Sequence, residues 1–298
     1  MWYISVEQIA KKWGISPRSV RNYCANERIE GAFLTGKMWL IPDNAKKPER
    51  INAAKKPMVL LNTLLDEMKN KTSGGIYEAI QIDFAFESNA MADNKLTRKE
   101  VEEIYKTNTF NPTKKSYNTD DIIETINHFK CFDLMLENVS KKLNETFIKK
   151  LHFTLKNGTT DTTAGEYKKL PHKPIYHTKL ALPEAVPQKM KALLKKYNEE
   201  PETPFYDILE FHSRFERIHP FQDGNGRVGR LIMFKESLKN NFIPCIIEND
   251  IKLFYYNGFD ESGVSPYLRD SYKSGQARVI ALLDQFKIPY EKDSVLSR

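Results

Sequence analysis

Cysteine is scarce in this chain: three in 298 residues, at positions 24, 131 and 245. Odd in number and far apart, they offer no disulfide framework and no cysteine-based zinc site, and read as buried free thiols. Long apolar runs are also missing. The longest, such as Phe242-Ile243-Pro244-Cys245-Ile246-Ile247, fall far short of the ~20 residues of a membrane span, so no membrane partner is expected. No secretory leader shows, because Glu7, Lys11 and Lys12 interrupt the N-terminus early, and the chain reads as cytoplasmic. Internal repeats and low-complexity tracts are absent. What remains is an ordinary globular composition, 40% hydrophobic and 29% charged, in a length that suggests about two domains.

The net charge of +7 is uneven. Residues 1–57 hold eleven Lys/Arg against five Asp/Glu, and the remainder holds 35 against 34. A basic module beside a near-neutral one is the simplest explanation. The module spans residues 1–45. Ser5 and Gln8 form a capping box ahead of an apolar stripe of Val6, Ile9, Ala10 and Trp13, and Gly14 ends that helix. Ser16 caps a second helix with Pro17 at its first position, running to about Asn26. Residues 32–42 then read as two short strands around Thr35-Gly36-Lys37, a small wing. Residues 46–74 read as a polar linker with a connecting helix.

Residues 1–42 resemble the winged helix-turn-helix of excisionase-like and MerR-like DNA binders, including the ending Met38-Trp39-Leu40-Ile41-Pro42. The resemblance implies double-stranded DNA as a partner. Helix 17–26 would enter the major groove, with Arg18, Arg21 and Asn22 facing the bases and Lys37 on the wing. The alternative is a protein-docking module whose charge only keeps it soluble.

Beyond the linker the signals are helical. Thr97 and Glu100 form a capping box before 101–106, and Thr119 is expected to cap a helix reaching about Asn138. Helices are expected at Asn144–Leu155, ended by Gly158, at Pro187–Lys196 and at Pro204–Ile218. Residues 158–183 break the pattern with Gly, Thr and Pro and read as a hairpin.

The densest chemistry lies in His219-Pro220-Phe221-Gln222-Asp223-Gly224-Asn225-Gly226-Arg227-Val228-Gly229-Arg230. Pro220 ends the preceding helix, and a new one is expected near Arg227. Glycines let backbone approach a ligand, and amides at a helix N-terminus cradle an anion. Arg227 and Arg230, three apart, share a helix face and can clamp a polyphosphate. Asp223 suits Mg²⁺ bridging phosphates, and His219 is a candidate general base. Together they point to phosphoryl or nucleotidyl transfer.

This stretch resembles the signature of Fic-domain proteins, His-Pro-Phe-x-(Asp/Glu)-Gly-Asn-Gly-Arg-x-x-Arg, at every fixed position. Leu151-His152 and Ala164-Gly165-Glu166-Tyr167 agree with it, and the likeness covers about residues 75–270. It implies a mainly α protein, a helical Fic fold with a small β-hairpin flap, beside the small winged helix-turn-helix domain. It also implies AMP transfer from ATP to a protein hydroxyl. His219 would deprotonate a Ser, Thr or Tyr hydroxyl, and Asp223 would hold Mg²⁺. Gly224, Asn225 and Gly226 would cradle phosphates, Arg227 would bind the β-phosphate and Arg230 the γ-phosphate. Phe221 would anchor the loop in the core, while Tyr255 and Tyr256 would stand near the adenine or pack in the core. Residues 165–182 would be a flap that holds the target peptide by strand addition.

Many members of that family carry an inhibitory helix, (Ser/Thr)-x-x-x-Glu-(Gly/Asn), whose Glu pairs with the second motif arginine. Here Ser88-Asn89-Ala90-Met91-Ala92-Asp93-Asn94 keeps the frame, but Ala92 stands where the Glu is expected. Asp93 cannot simply substitute for it, because one residue along a helix turns a side chain by about 100°. A natural loss or an engineered Glu→Ala change would leave this pattern and release the brake. Its absence also argues against removal of AMP.

The favoured function is therefore protein adenylyltransfer from Mg-ATP onto a target protein or the chain itself. Two alternatives stand: a DNA-binding regulator whose Fic domain senses nucleotide, and a Fic enzyme moving UMP or phosphate. Whether the chain acts as a homodimer stays open.

Overall fold

A computed structural model describes residues 2–25, 28–36, 38–48, 59–111, 116–172, 178–199, 203–259 and 264–291. The N-terminal module begins with β1 (Tyr3–Ser5), followed by α1 (Val6–Trp13), α2 (Pro17–Ala25), β2 (Phe33–Thr35) and β3 (Met38–Pro42). Ser5 Oγ accepts from Gln8 N at 3.3 Å, and the Gln8 side chain accepts from Ser5 N at 2.8 Å. Gly14, at φ 63, closes α1 in the left-handed region that an L side chain avoids. The sheet has a strand beyond the two expected. β1 lies antiparallel to β3, with Tyr3 opposite Pro42, and β2 takes the other edge. Val6, Ile9, Ala10, Val20, Cys24, Ile29 and Ile41 form this module's own core. Asn26 and Lys37 lie outside the described residues.

The rest is helical: α3 (Val59–Asn70), α4 (Ile76–Ala90), α5 (Arg98–Thr107), α6 (Thr119–Glu137), α7 (Glu145–Lys156), α8 (Val186–Asn198), α9 (Phe205–Ile218), α10 (Asn225–Lys239), α11 (Lys252–Tyr256) and α12 (Pro266–Gln285). Thr97 and Glu100 close the expected capping box on α5. The cap of α6 is Asn118 rather than Thr119; its side chain accepts from Asp120 N at 3.1 Å. α10 is the central rod. Val228 through Leu238 are all buried, as a helix enclosed by others must be, with α4, α6, α7 and α9 packed against it. Phe234 stacks on Phe84 at 5.1 Å and meets Phe132 edge-on at 5.4 Å.

Residues 173–177, within the stretch expected to form a hairpin, lie outside the described residues. Among the described residues of 158–183, Thr178 is a single bridge residue and the small sheet is that of residues 3–42. Lys168 N donates to Pro220 O at 2.8 Å and Ala181 N to Arg217 O at 3.1 Å, so this stretch is pinned beside the α9–α10 loop.

The structure corrects the expected DNA face. Asn22 is buried, and Arg18 points into the helical body. Its Nε and Nη2 hold Asp207 Oδ2 at 2.8 and 2.7 Å, and Nη1 donates to Lys196 O at 3.0 Å. Arg21 pairs with Glu7 at 2.8 Å on the surface. α2 therefore packs on α9 instead of standing clear for a groove. Asp207 has a side chain 2% exposed, and an unpaired charge there is costly. Arg18→Ala is expected to destabilise the chain by about 3 kcal/mol. Arg21→Ala, which breaks an exposed pair, should cost about 1 kcal/mol or less. Urea unfolding of the two variants checks this; equal losses would overturn it.

Candidate active site

His219 closes α9 as a non-glycine residue in left-handed conformation, φ 49, with its N donating to Phe215 O at 2.9 Å. Pro220 allows no further helical turn. The His219 Nδ1–H donates to Glu216 O at 3.2 Å, which leaves Nε2 as the ring's acceptor. Burial, with His172 and Lys168 beside it, holds the imidazole pKa down at about 3, so the ring is neutral and able to take a proton. His172 stands edge-on to it at 4.9 Å and donates from Nε2 to Gln222 O at 2.7 Å.

The loop after His219 is built from inside. Asn225 Oδ1 accepts from Phe221 N at 2.7 Å, and its Nδ2 donates to Phe221 O at 2.8 Å. This side chain closes the turn, leaving only its backbone for an anion cradle. Phe221 is fully buried, as expected, and stacks on His152 at 3.9 Å with the rings 2° apart. His152 accepts from Gly165 N at 2.8 Å on Nδ1 and donates from Nε2 to Asp223 O at 2.9 Å. Gly224 sits at φ 77, and a Cβ there would come within 3.2 Å of Leu155 and 3.4 Å of His152. α10 starts at Asn225, two residues before the expected Arg227. Its first-turn amides at Asn225, Gly226 and Arg227 have no helical partner and form the positive end of the helix dipole.

Four charged groups meet at this helix start. Lys156 reaches Glu124 and, at 2.6 Å, Asp223 Oδ2. Arg227 reaches Glu124 and, at 3.1 Å, the same Asp223 Oδ2. Desolvation works to raise the Asp223 carboxyl, but Arg227 and Lys156 outweigh it and hold the group ionised well below the usual carboxylate range. Among the described residues no cluster of three or more His, Cys, Asp or Glu is placed to hold a metal. Asp223 alone, with a side chain 59% exposed, fits a Mg²⁺ that is ligated mainly by phosphates.

Behind the loop lies a cavity of about 240 Å³, lined by His219, Gly226, Glu216, Tyr256, Met91 and Asp93 among others. Burial pushes the Glu216 carboxyl up to about 7, and it packs against Gly229, where a Cβ would collide with it. The two expected aromatics divide. Tyr256 lines the cavity, whereas Tyr255 is fully buried, bonds His212 at 2.5 Å and packs with Phe259 at 4.9 Å. Tyr255 is core, not an adenine contact.

Arg230 is 2% exposed. Its Nε donates to Ser88 Oγ at 3.0 Å and its Nη2 to Ser88 O at 2.8 Å. Its Nη1 is buried without a hydrogen-bond partner among the described residues and lies beside Gly226. Ser88 thus meets Arg230, where the family resemblance implied the Glu position would. Ala92, however, is exposed in a turn after α4 ends at Ala90, so the 100° helix argument against Asp93 does not apply. Asp93, at φ 64, lines the cavity and pairs with Lys252 at 2.9 Å.

Glu124, Lys156, His152 and His172 are assigned no role by the sequence reading. Each meets the loop from a segment far away in the chain. Only Leu151-His152 carried a signal, as part of the family likeness.

Residues 142–236 match the Fic/DOC family. "Protein adenylyltransferase Fic" of Nematostella vectensis is 26% identical over 197 residues, 62% of this chain and 44% of that protein. "Protein adenylyltransferase fic-1" of Caenorhabditis elegans is 26% identical over 122 residues, 39% of this chain and 23% of that one. The chain thus spans less than half the length of these relatives. Among solved structures, a Fic-domain signaling protein from Bacteroides thetaiotaomicron superposes with TM-score 0.58 at 24% identity, covering 76% of this chain and 90% of that one. Fic-1 of C. elegans superposes with TM-score 0.60 at 19% identity, covering 76% and 71%. The fold is mainly helical and is that of Fic-domain structures.

Burial holds three further histidines neutral: His128 at about 3, His152 at about 4 and His212 at about 3. In the unfolded chain they protonate near 6.5. The unfolded state therefore binds more protons between pH 6.5 and about 4, and stability is full above that window and falls as pH drops through it. The urea midpoint is expected to be lower at pH 5 than at pH 7. His128→Phe, which removes one such group, should narrow the difference; equal midpoints at the two pH values would contradict this account.

Proposed function

We propose that the chain transfers AMP from Mg-ATP to a Ser, Thr or Tyr hydroxyl of a target protein or of itself. One observation carries the reading. A neutral imidazole whose Nε2 is the free acceptor shares a cavity with the amide end of α10, whose Arg230 keeps one buried Nη1 unsatisfied. An unsatisfied buried guanidinium N–H invites an acceptor, and a phosphate oxygen supplies one.

In this reading the amides of Asn225, Gly226 and Arg227 receive phosphate oxygens, and Arg230 takes the terminal phosphate. Arg227, already tied to Glu124 and Asp223, lends charge from beneath. The target hydroxyl oxygen attacks the α-phosphorus, its proton passes to His219 Nε2, and the bond to the β-phosphate oxygen breaks to release pyrophosphate. Phosphate charge brought beside the imidazole raises its basicity above that of the empty site. Asp223 would hold Mg²⁺, whose chemistry is to offset charge on the phosphates. Residues 165–172, pinned to the loop by Lys168 and His172, border the path of the incoming hydroxyl. The domain division at about residues 45 and 75 belongs to the same proposal, with the catalytic unit from 75 onward.

Incubation of the purified chain with Mg-ATP, followed by intact mass, tests the reading. A gain of one AMP by the chain or by an added lysate protein is expected. His219→Ala should reduce the rate by about 10²–10⁴. Transfer of phosphate in its place, or of UMP when Mg-UTP replaces Mg-ATP, would move the reading to another transferred group. No transfer to any protein would overturn it.

The missing brake at position 92 belongs to the same proposal. Ala92 sits between Met91 and Asp93, both at the cavity, one turn beyond the serine that holds Arg230. A carboxylate introduced there would compete with the terminal phosphate for that arginine. Ala92→Glu is expected to lower transfer by about fivefold or more; equal rates would show that position 92 does not regulate.

A further inference from the structure

Lys156 is the charged group at the site that the proposed chemistry leaves without a task. It is the last residue of α7, its side chain is 6% exposed, and it reaches both carboxylates of the cluster. Glu124 receives Lys156 on Oε1 and Arg227 on Oε2. Asp223 receives both cations on Oδ2, at 2.6 and 3.1 Å. Two buried cations therefore balance two carboxylates, and the cluster carries no surplus negative charge.

A hard divalent cation is drawn by surplus carboxylate charge and gives up its water reluctantly. At this cluster it would meet one partly exposed carboxylate that an ammonium already holds at 2.6 Å. Like charges so close in a partly buried place repel strongly. We propose that Lys156 keeps a divalent cation off Asp223 until the phosphates of a nucleotide arrive, so that metal and nucleotide enter as one unit. The inference rests on the nucleotide reading of the site, because the phosphates supply the negative charge that the cluster lacks. Without the ammonium, Glu124 and Asp223 share Arg227 alone. One negative charge is then left over, and a site appears that takes the metal first.

Calorimetric titration of the nucleotide-free full chain with Mn²⁺ alone tests this. The wild type is expected to show no saturable binding at concentrations where Mn²⁺ with ATP saturates it. Lys156→Met should bind Mn²⁺ at least about tenfold tighter than the wild type. Lys156→Arg, which keeps the charge, should behave as the wild type. Thermal unfolding verifies each variant, and Lys156→Gln takes the place of Lys156→Met if the latter does not fold. Wild type and the neutral variant binding Mn²⁺ alone equally would overturn the role of Lys156. A wild type that binds neither ATP nor Mn²⁺ with ATP would instead overturn the nucleotide reading beneath it, so the two failures are distinct.

Discussion

The site depends on one buried exchange of charge. Glu124 on α6 is shared by Lys156 at the end of α7 and Arg227 in the first turn of α10, and both cations turn to Asp223 in the loop. None of the three buried members is tolerable alone, since an unpaired charge at such depth costs several kcal/mol. Their mutual need therefore fixes three helix ends against one another. Neutral bonds finish the task. His152 ties the Asp223 carbonyl to the Gly165 amide, and the Asn225 side chain closes the loop over Phe221. The backbone that faces the cavity is thus shaped from behind, before any ligand arrives.

The proposed chemistry would use what this arrangement leaves over. α9 must stop at His219, because Pro220 cannot continue it, and α10 must start immediately after the loop, because Gly224 alone tolerates the turn so close to Leu155 and His152. The candidate base at the C-terminal end of one helix is thereby brought to the positive end of the next. Ser88 restrains two of the three nitrogens of Arg230 and leaves the third facing Gly226. Preorganised donors of this kind need no rearrangement when charge develops, which is where they gain over water.

Local signals were legible in the sequence and long-range ones were not. The capping boxes at Ser5 and Thr97 and the stop at Gly14 depend on neighbours a few residues away, and all could be read directly. β1 could not, because three residues become a strand only when β3, some forty positions later, lies beside them. Glu124 and Lys156 look like ordinary helix-surface charges until the fold carries them to Asp223. Tyr255 and Tyr256 are adjacent, so pattern could not tell that one faces the core and the other the cavity. The turn at Ala92 follows from α4 ending at Ala90, an end that no glycine or proline announces.

The N-terminal module shows the same limit in its most instructive form. Arg18 and Asn22 on a short helix after a tight turn are what a base-reading surface requires, and nothing within 42 residues contradicts it. Asp207 does, from 189 positions away. A carboxylate buried in the first turn of α9 must find a cation, and Arg18 meets it with two nitrogens while a third bonds the α8 backbone. That helix ends at Ile218, and His219 caps it 12 residues beyond Asp207. At 1.5 Å per residue the span is about 20 Å, so one rigid rod carries the docking contact of the basic module at one end and the candidate base at the other. A composition bias that suggests a DNA-binding domain thus resolves into a module seated on the helical body, through the helix that positions its imidazole.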